Sequence, residues 1–211
     1  MGEIIMTTTY TQSSIAFFDF DGTITTRETL PEVLKFIKGN IPYYIGMVLL
    51  SPIMLAYKLN FISPHTAKEQ LLRYFLRGIP VDEFNVLCKE FVETRMPRLF
   101  RKSALAEIRK HLQSDTRVVV VTASPENWVR PWCQQFNIEC IATKLKVTND
   151  KLTGTISGQD CSGEEKVRKI LKKYNLSHFS KIYAYGDSPG DLRMLALATD
   201  SYYKPFKERV Y

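Results

Sequence analysis

The chain has 211 residues, enough for one well-buried core with a modest insert, and its 45% hydrophobic and 24% charged content is that of a folded globular protein, not of a disordered or fibrous one. Its net charge of +7 favours an anionic partner, but no aromatic–basic interleaving or nucleic-acid motif accompanies it, so nucleic acid is not expected. Cys88, Cys133, Cys140 and Cys161 form no Cys-x-x-Cys pair and no zinc spacing, which points to reduced thiols in a cytoplasmic protein.

Met1 to Gln12 has no basic stretch leading into an apolar one, so a signal peptide is not expected, and Met6 is an alternative start. The apolar run Ile15–Phe18 then reads as a short buried strand that ends in Asp19-Phe20-Asp21-Gly22-Thr23. Side chains at i and i+2 leave a strand on the same face, so Asp19 and Asp21 converge at its carboxyl end, where open α/β sheets bind ligands. Two carboxylates that close are costly unless a cation or a shared proton relieves them, and Mg²⁺ is the simplest oxygen-seeking ion for the purpose. The plainer alternative is an Asp-rich turn after a strand.

From about Arg27 to Leu99 the pattern is all helical, with segments at Glu28–Gly39, Pro42–Lys58, Pro64–Arg77 and Val81–Phe100, and Ser103–Gln113 follows. Strand–helix alternation resumes with Arg117–Thr122, a β-branched run that reads as a parallel strand buried on both faces. Ser124 is expected to N-cap a helix with Pro125 in its first position, and Pro131 to kink or end that helix. Ile138–Ala142 reads as a strand, Lys144–Ser157 as an antiparallel excursion about Thr148-Asn149-Asp150, and Ser162–Tyr174 as a helix. Lys181–Tyr185 reads as a strand, Asp191–Ala198 as a helix and Ser201–Tyr203 as an edge strand. The expected fold is α/β: a Rossmann-like parallel sheet flanked by helices, with an all-helical insert after the first strand.

Three further elements sit at or near strand ends. Thr122 closes the valine run, where a hydroxyl and free helix N–H groups could hold a phosphate. Lys166 stands in the first turn of its helix, an odd place for a cation unless it balances an anionic site; a solvated surface lysine is the alternative. Gly186-Asp187-Ser188-Pro189-Gly190-Asp191 follows an apolar strand and alone reads as a turn capping the next helix.

Together, Asp19-Phe20-Asp21-Gly22-Thr23, Val120-Val121-Thr122-Ala123-Ser124, Lys166 and Gly186 to Asp191 resemble, in order and spacing, the four motifs of the haloacid dehalogenase superfamily. The helical block resembles the cap of its phosphoserine-phosphatase-like branch. The resemblance implies a catalytic core of residues 13–26 and 104–211 and a helical cap of residues 27–103. It further implies that Asp19 attacks phosphorus to form an aspartyl-phosphate and that Asp21 serves as acid and base. Mg²⁺ would be held by the Asp19 carboxylate, the Asp21 carbonyl and Asp187, with Asp191 orienting them, while Thr122 and Lys166 bind the phosphoryl oxygens. Natural hinges are Thr25–Arg27 and Arg101–Ser103.

The substrate is then a phosphate monoester, either a small molecule or a lipid. Glu28 sits nine residues after Asp19, where phosphoserine phosphatases carry a glutamate that reads the substrate amino group; Glu28, Ser124 and Arg73 are the candidate substrate contacts. Those enzymes use a Ser-Gly-Gly second motif, whereas this chain has Thr122-Ala123-Ser124. The stretch from Thr122 to Lys166 is more similar to bacterial phosphatidylglycerophosphate phosphatases. Ile41–Ile62 is apolar, broken by Pro52, with Tyr43, Tyr44 and Tyr57 toward its ends: a membrane span, packed cap core, or a surface that enters a bilayer or grips an acyl chain. The last would make the protein a peripheral one at the inner face of the membrane. A phosphotransferase and a non-catalytic phosphate binder remain as alternatives.

Overall fold

The apolar run that ends in Asp19 forms the central strand of a parallel sheet. The computed structural model describes residues 13–207, so the expectations for Met1 to Gln12 and the last residues of the chain lie outside the described residues. In chain order the sheet strands are β1 (Ser13–Phe18), β2 (Arg117–Pro125), β3 (Glu139–Thr143), β6 (Phe179–Gly186) and β7 (Asp200–Tyr203). They lie in the order β3-β2-β1-β6-β7 with every pairing parallel. A two-stranded antiparallel hairpin, β4 (Leu145–Thr148) and β5 (Lys151–Ile156), stands apart from it. Its turn residues Asn149 and Asp150 both have positive φ, the twist that a two-residue hairpin turn requires.

The period of two sorts the side chains of β1 and β2 to opposite faces. Ala16, Phe18, Val118 and Val120 join Trp128, Val129 and Trp132 of α7 (Glu126–Gln135) and Ile108 of α6 (Lys102–Gln113). Ile15, Phe17, Val119 and Val121 join Ile170 of α8 (Glu164–Lys173) and Met194 and Leu195 of the one-turn α9 (Leu192–Leu195). Burial on both faces explains why the valine run shows no polar alternation.

Between β1 and β2 lie α1 (Thr29–Lys38), α2 (Asn40–Leu49), α3 (Ser51–Lys58), α4 (Pro64–Leu76) and α5 (Val81–Thr94). The apolar segment expected as one helix over Pro42–Lys58 is therefore two, bent by 58°. Pro52 in the first turn of α3 cannot donate to the preceding turn, which stops α2. The helix expected over Val81–Phe100 ends at Thr94, before Pro97, and a 3₁₀ turn, Met96–Leu99, replaces its last part. Ser63 N-caps α4 as its position before Pro64 requires, accepting from the Thr66 N–H at 3.1 Å.

Ser124 and Pro125 are a correction. Both belong to the end of β2, Pro125 pairing with Thr143, and the helix begins only at Glu126. Pro131 lies inside α7, which stops at Gln135. The helix expected at Asp191–Ala198 shrinks to a 3₁₀ turn, Pro189–Asp191, followed by α9.

The two chain crossings between the helical block and the sheet run side by side. Thr26 N–H donates to Leu99 O at 2.7 Å and Arg101 N–H to Ile24 O at 2.9 Å, while Phe20 and Phe100 both pack on Trp132. The hairpin braces the block from the other side. Gly154, at φ +75°, lies so close to α4 that a Cβ there would sit 2.4 Å from Arg73 Cα. Gly154→Val should therefore cost about 2 kcal/mol or more through the left-handed backbone and the clash, lowering the thermal midpoint by roughly 5 °C in a melting experiment.

Candidate active site

The strand end that carries Asp19 is also where β2 and β6 finish, so their following residues meet at one rim of the sheet. The Asp19 N–H donates to Tyr185 O at 2.9 Å, which anchors the aspartate to β6 before the chain turns. Gly22, at φ +77°, makes that turn; a Cβ on it would lie 2.6 Å from an Asp187 carboxylate oxygen.

Lys166 is 1% exposed, which removes the surface alternative. Its Nζ donates to Asp19 Oδ1 and Asp191 Oδ1, each at 2.5 Å. Asp191 is held in turn by its other oxygen, which accepts from the Asp187 N–H at 3.1 Å, the Ser188 N–H at 2.9 Å and Ser188 Oγ at 2.7 Å. A Cβ on Gly186 would strike the Asp191 side chain at 2.5 Å, so glycine there lets the loop fold back on itself. Asp187 faces Thr23 Oγ1 at 3.3 Å and the Lys207 ammonium at 3.0 Å. Thr23 Oγ1 is also 3.2 Å from Asp19 Oδ2, so one hydroxyl proton serves both carboxylates.

Asp21 is held by donors on both of its oxygens. Its Oδ1 accepts from the N–H and Oγ1 of Thr29, both at 2.6 Å, and its Oδ2 from Ser124 Oγ at 2.6 Å and Thr122 Oγ1 at 3.4 Å. Thr29 itself lies 3.1 Å from Ser124 Oγ and accepts from Trp128 Nε1 at 2.9 Å. Thr122 Oγ1 accepts from the Ser124 N–H at 2.9 Å. On the insert side, Lys68 reaches Ala123 O at 2.7 Å and Asp160 Oδ1 at 2.8 Å.

A cavity of about 80 Å³ is lined by Asp19, Asp21, Glu28, Thr122, Lys166 and Asp191, among others. Four sequence motifs and Glu28 thus share one space, with Asp187 beside it. Arg73 does not join them: it lines a separate surface cavity with Arg77, Lys146 and Lys151 and pairs with Glu69 at 3.7 Å, so it is corrected as a contact to this space. Ser124 bonds Asp21 from behind instead of capping a helix. Thr29, Thr23, Ser188 and Lys68 were not expected from sequence; only the Ser188-to-Asp191 spacing of a capping box carried any signal.

Burial pushes the Asp19 carboxyl up to about 7 against the pull of Lys166, with Asp191 and Asp21 adding to the rise. Burial works against the Lys166 ammonium, but Asp19 and Asp191 outweigh it and hold its pKa above that of an ordinary lysine. Burial likewise opposes ionised Asp191, yet Lys166 and the Ser188 bonds bring its carboxyl below the usual range. Desolvation, then the Asp21 and Asp187 carboxylates, push Glu28 up to about 7 against Lys68; the residue still reaches solvent at the cavity mouth, where water screens part of that push.

One oxygen from each of Asp19, Asp187 and Asp191 lies within 4.8 Å of the others. An all-oxygen, anionic donor set of this size fits a hard divalent cation such as Mg²⁺. Both Asp191 oxygens are already engaged, which makes it the member that orients its neighbours.

A parallel sheet with a helical insert after its first strand, and an acidic site at the strand ends built on a buried lysine, defines a hydrolase core. The haloacid dehalogenase-like hydrolase family model matches residues 16–196, and the chain belongs to that family. Protein CicA of Caulobacter vibrioides is 31% identical over 192 residues, covering 90% of this chain and 85% of that protein. Among solved structures, a Bordetella pertussis protein described as of unknown function matches with a TM-score of 0.79 at 22% identity, over 90% of this chain and 89% of that one. A phospho-aspartyl intermediate analogue of phosphoserine phosphatase matches with a TM-score of 0.59 at 20% identity, over 90% and 85%. These two carry the likeness of fold.

Removing the lysine cation should leave two buried carboxylates uncompensated. Lys166→Met is expected to lose about 3–5 kcal/mol of stability at neutral pH. Without the cation the Asp19 pKa rises further above its unfolded value and that of Asp191 climbs from below its own, so the penalty is full above those raised values and fades as pH falls. Urea unfolding at pH 7.5 and pH 5, with chelator present, should show the gap from wild type narrowing at the lower pH.

Proposed function

We propose that the protein hydrolyses phosphate monoesters through an aspartyl-phosphate on Asp19, with residues 27–103 acting as a cap over a core of residues 13–26 and 104–211. The observation that supports this most is the joint presence, in one small cavity, of a carboxylate held by a buried lysine and a second carboxylate fixed in orientation by Thr29 and Ser124. A passive phosphate binder has no need of both.

In this reading an Asp19 oxygen attacks phosphorus and the ester oxygen departs, taking a proton from Asp21. Asp21 then accepts a proton from water as that water attacks the aspartyl-phosphate, which restores Asp19 and releases phosphate. Thr29 and Ser124 hold the Asp21 carboxyl in place through both transfers. Lys166 and Thr122 offset the charge on the phosphoryl oxygens. Mg²⁺, held by the Asp19 carboxylate, the Asp21 carbonyl and Asp187, would supply charge neutralisation for the transferring group.

The cavity holds only the volume of roughly two or three waters, enough for little beyond the phosphoryl group, so the organic part of the ester must extend past Glu28 toward the cap. Cap opening is then needed to admit it. Two ester classes follow. A lipid phosphate such as phosphatidylglycerophosphate is favoured by the apolar residues that α2 and α3 leave in solvent. A small amine-bearing ester such as phosphoserine is favoured by Glu28 at the cavity mouth.

Asp19→Asn should lower phosphate release by about a thousandfold or more with the fold intact by circular dichroism; substantial release by that variant would falsify the assignment. Phosphate release from phosphatidylglycerophosphate and from phosphoserine, measured side by side with Mg²⁺, decides the ester class. With phosphoserine as the preferred ester, its KM should fall as pH rises from the ordinary carboxylate range toward about 7, because Glu28 must ionise to meet the ammonium, and Glu28→Gln should flatten that dependence.

A further inference from the structure

The helix pair α2–α3 turns its apolar side outward. On α2 the exposed residues are Ile41, Tyr44, Ile45, Val48 and Leu49, a stripe at i, i+3, i+4, i+7 and i+8 that faces solvent where a packed helix would face its core. Ile41 is 75% exposed and Val48 71%. The inward side is narrow: Tyr43, Gly46 and Leu50 are buried, and Gly46 lets α2 approach Tyr74 and Phe75 of α4, where a Cβ would meet both rings at 2.5 Å. No residue of α3 is buried. Leu55, Leu59 and Phe61, the last 79% exposed, continue the apolar surface to the loop before α4.

The charge on this stretch of chain has one sign, although Glu32 at its start pairs with Lys35 at 3.5 Å. Between Glu32 and Glu69 the chain carries no acidic residue, while Lys35, Lys38 and Lys58 flank the two helices, with the Lys35 ammonium 5.8 Å from the ring of exposed Tyr44. An apolar stripe edged by lysines and tyrosines is the make-up of a helix that lies in a lipid interface. Among the described residues no single helix is long and apolar enough to cross a membrane; the pair passes that test only together, across its 58° bend. A bent pair fixed along one edge to α4 is suited to lying in the headgroup layer.

We propose that α2, α3 and the Leu59–Phe61 turn dock the protein onto a bilayer of anionic lipids, with Ile41, Ile45, Val48, Leu55 and Phe61 entering the interface and Lys38 and Lys58 meeting the headgroups. Two residues past Phe61, Ser63 begins the approach to α4, and Ser63 and His65 line a cavity with Ser162, which also lines the catalytic cavity. Docking here sets the mouth of the site near the membrane surface, where an ester held in the lipid phase would be presented. The docking itself is independent of the hydrolase reading, since none of these apolar residues lines the catalytic cavity.

Sedimentation of the full chain with vesicles of phosphatidylcholine alone, and with added phosphatidylglycerol, tests it. Wild type should pellet with the anionic vesicles, less so at high salt. Val48→Asp combined with Leu55→Asp should weaken that binding at least tenfold, and Lys38→Glu and Lys58→Glu should each weaken it about fivefold or more. All of these should keep the circular dichroism of wild type, and Asp19→Asn should bind vesicles as wild type does even when it releases no phosphate. Wild type remaining in the supernatant with anionic vesicles overturns the proposal, as does equal pelleting of the aspartate variant. A lipid-free dimer in analytical ultracentrifugation that Val48→Asp abolishes would assign the face to a second copy of the chain instead.

Discussion

A buried ammonium between two buried carboxylates is the constraint on which the site depends. Lys166 comes from the first turn of α8, Asp19 from the end of β1 and Asp191 from the turn after β6, so one charge cluster ties three separated parts of the chain together. Burying any one of these charges alone would be prohibitive, and the cluster is tolerable only with all three in place and hydrogen-bonded. The glycines follow from the same demand. Gly22 and Gly186 stand where a Cβ would collide with Asp187 and Asp191, so the loops close around the cluster only without one.

The second carboxylate links the sheet to the helical insert. Asp21 is shared between Thr122 and Ser124 on β2 and Thr29, the first residue of α1. Any displacement of the insert at Thr29 therefore disturbs the proton donors and acceptors around Asp21. Lys68 adds a second tie, from α4 to the end of β2 and to Asp160. The paired crossings at Ile24–Thr26 and Leu99–Arg101 hold the root of the insert.

The insert is not uniformly packed. Its helices α1, α4 and α5 share a core with one face of the sheet, through Val33, Leu34, Phe75, Phe84 and Phe91, whereas α2 and α3 cover it from one side and leave their own apolar side uncovered. That side lacks the acidic residues that ordinarily keep an exposed helix soluble, which is why its exposure calls for an anionic, partly apolar partner.

Much of this was legible in the residues because it is local. The Asp19/Asp21 spacing on a strand, the valine run of β2, the Asn149-Asp150 turn and the order of the motifs depend on backbone periodicity and turn chemistry, which neighbouring residues set. Thr29 was not legible, since a threonine at a helix start usually serves its own backbone and nothing local says that it reaches Asp21. Ser124-Pro125 misled for a related reason: the pair satisfies the rules of a helix start, but pairing of Pro125 with Thr143 prolongs the strand. Arg73 misled because a position within a helix does not reveal which side of the helix faces the site. The outward turn of α2 was likewise undecidable from hydropathy, since an amphipathic stripe shows which residues share a face and not what that face meets. Sequence determined which groups could do chemistry and in what order they occur; only tertiary packing decided that Lys166 is buried, that Asp21 is shared with the insert and that the α2–α3 stripe meets solvent, because each depends on contacts between segments distant along the chain.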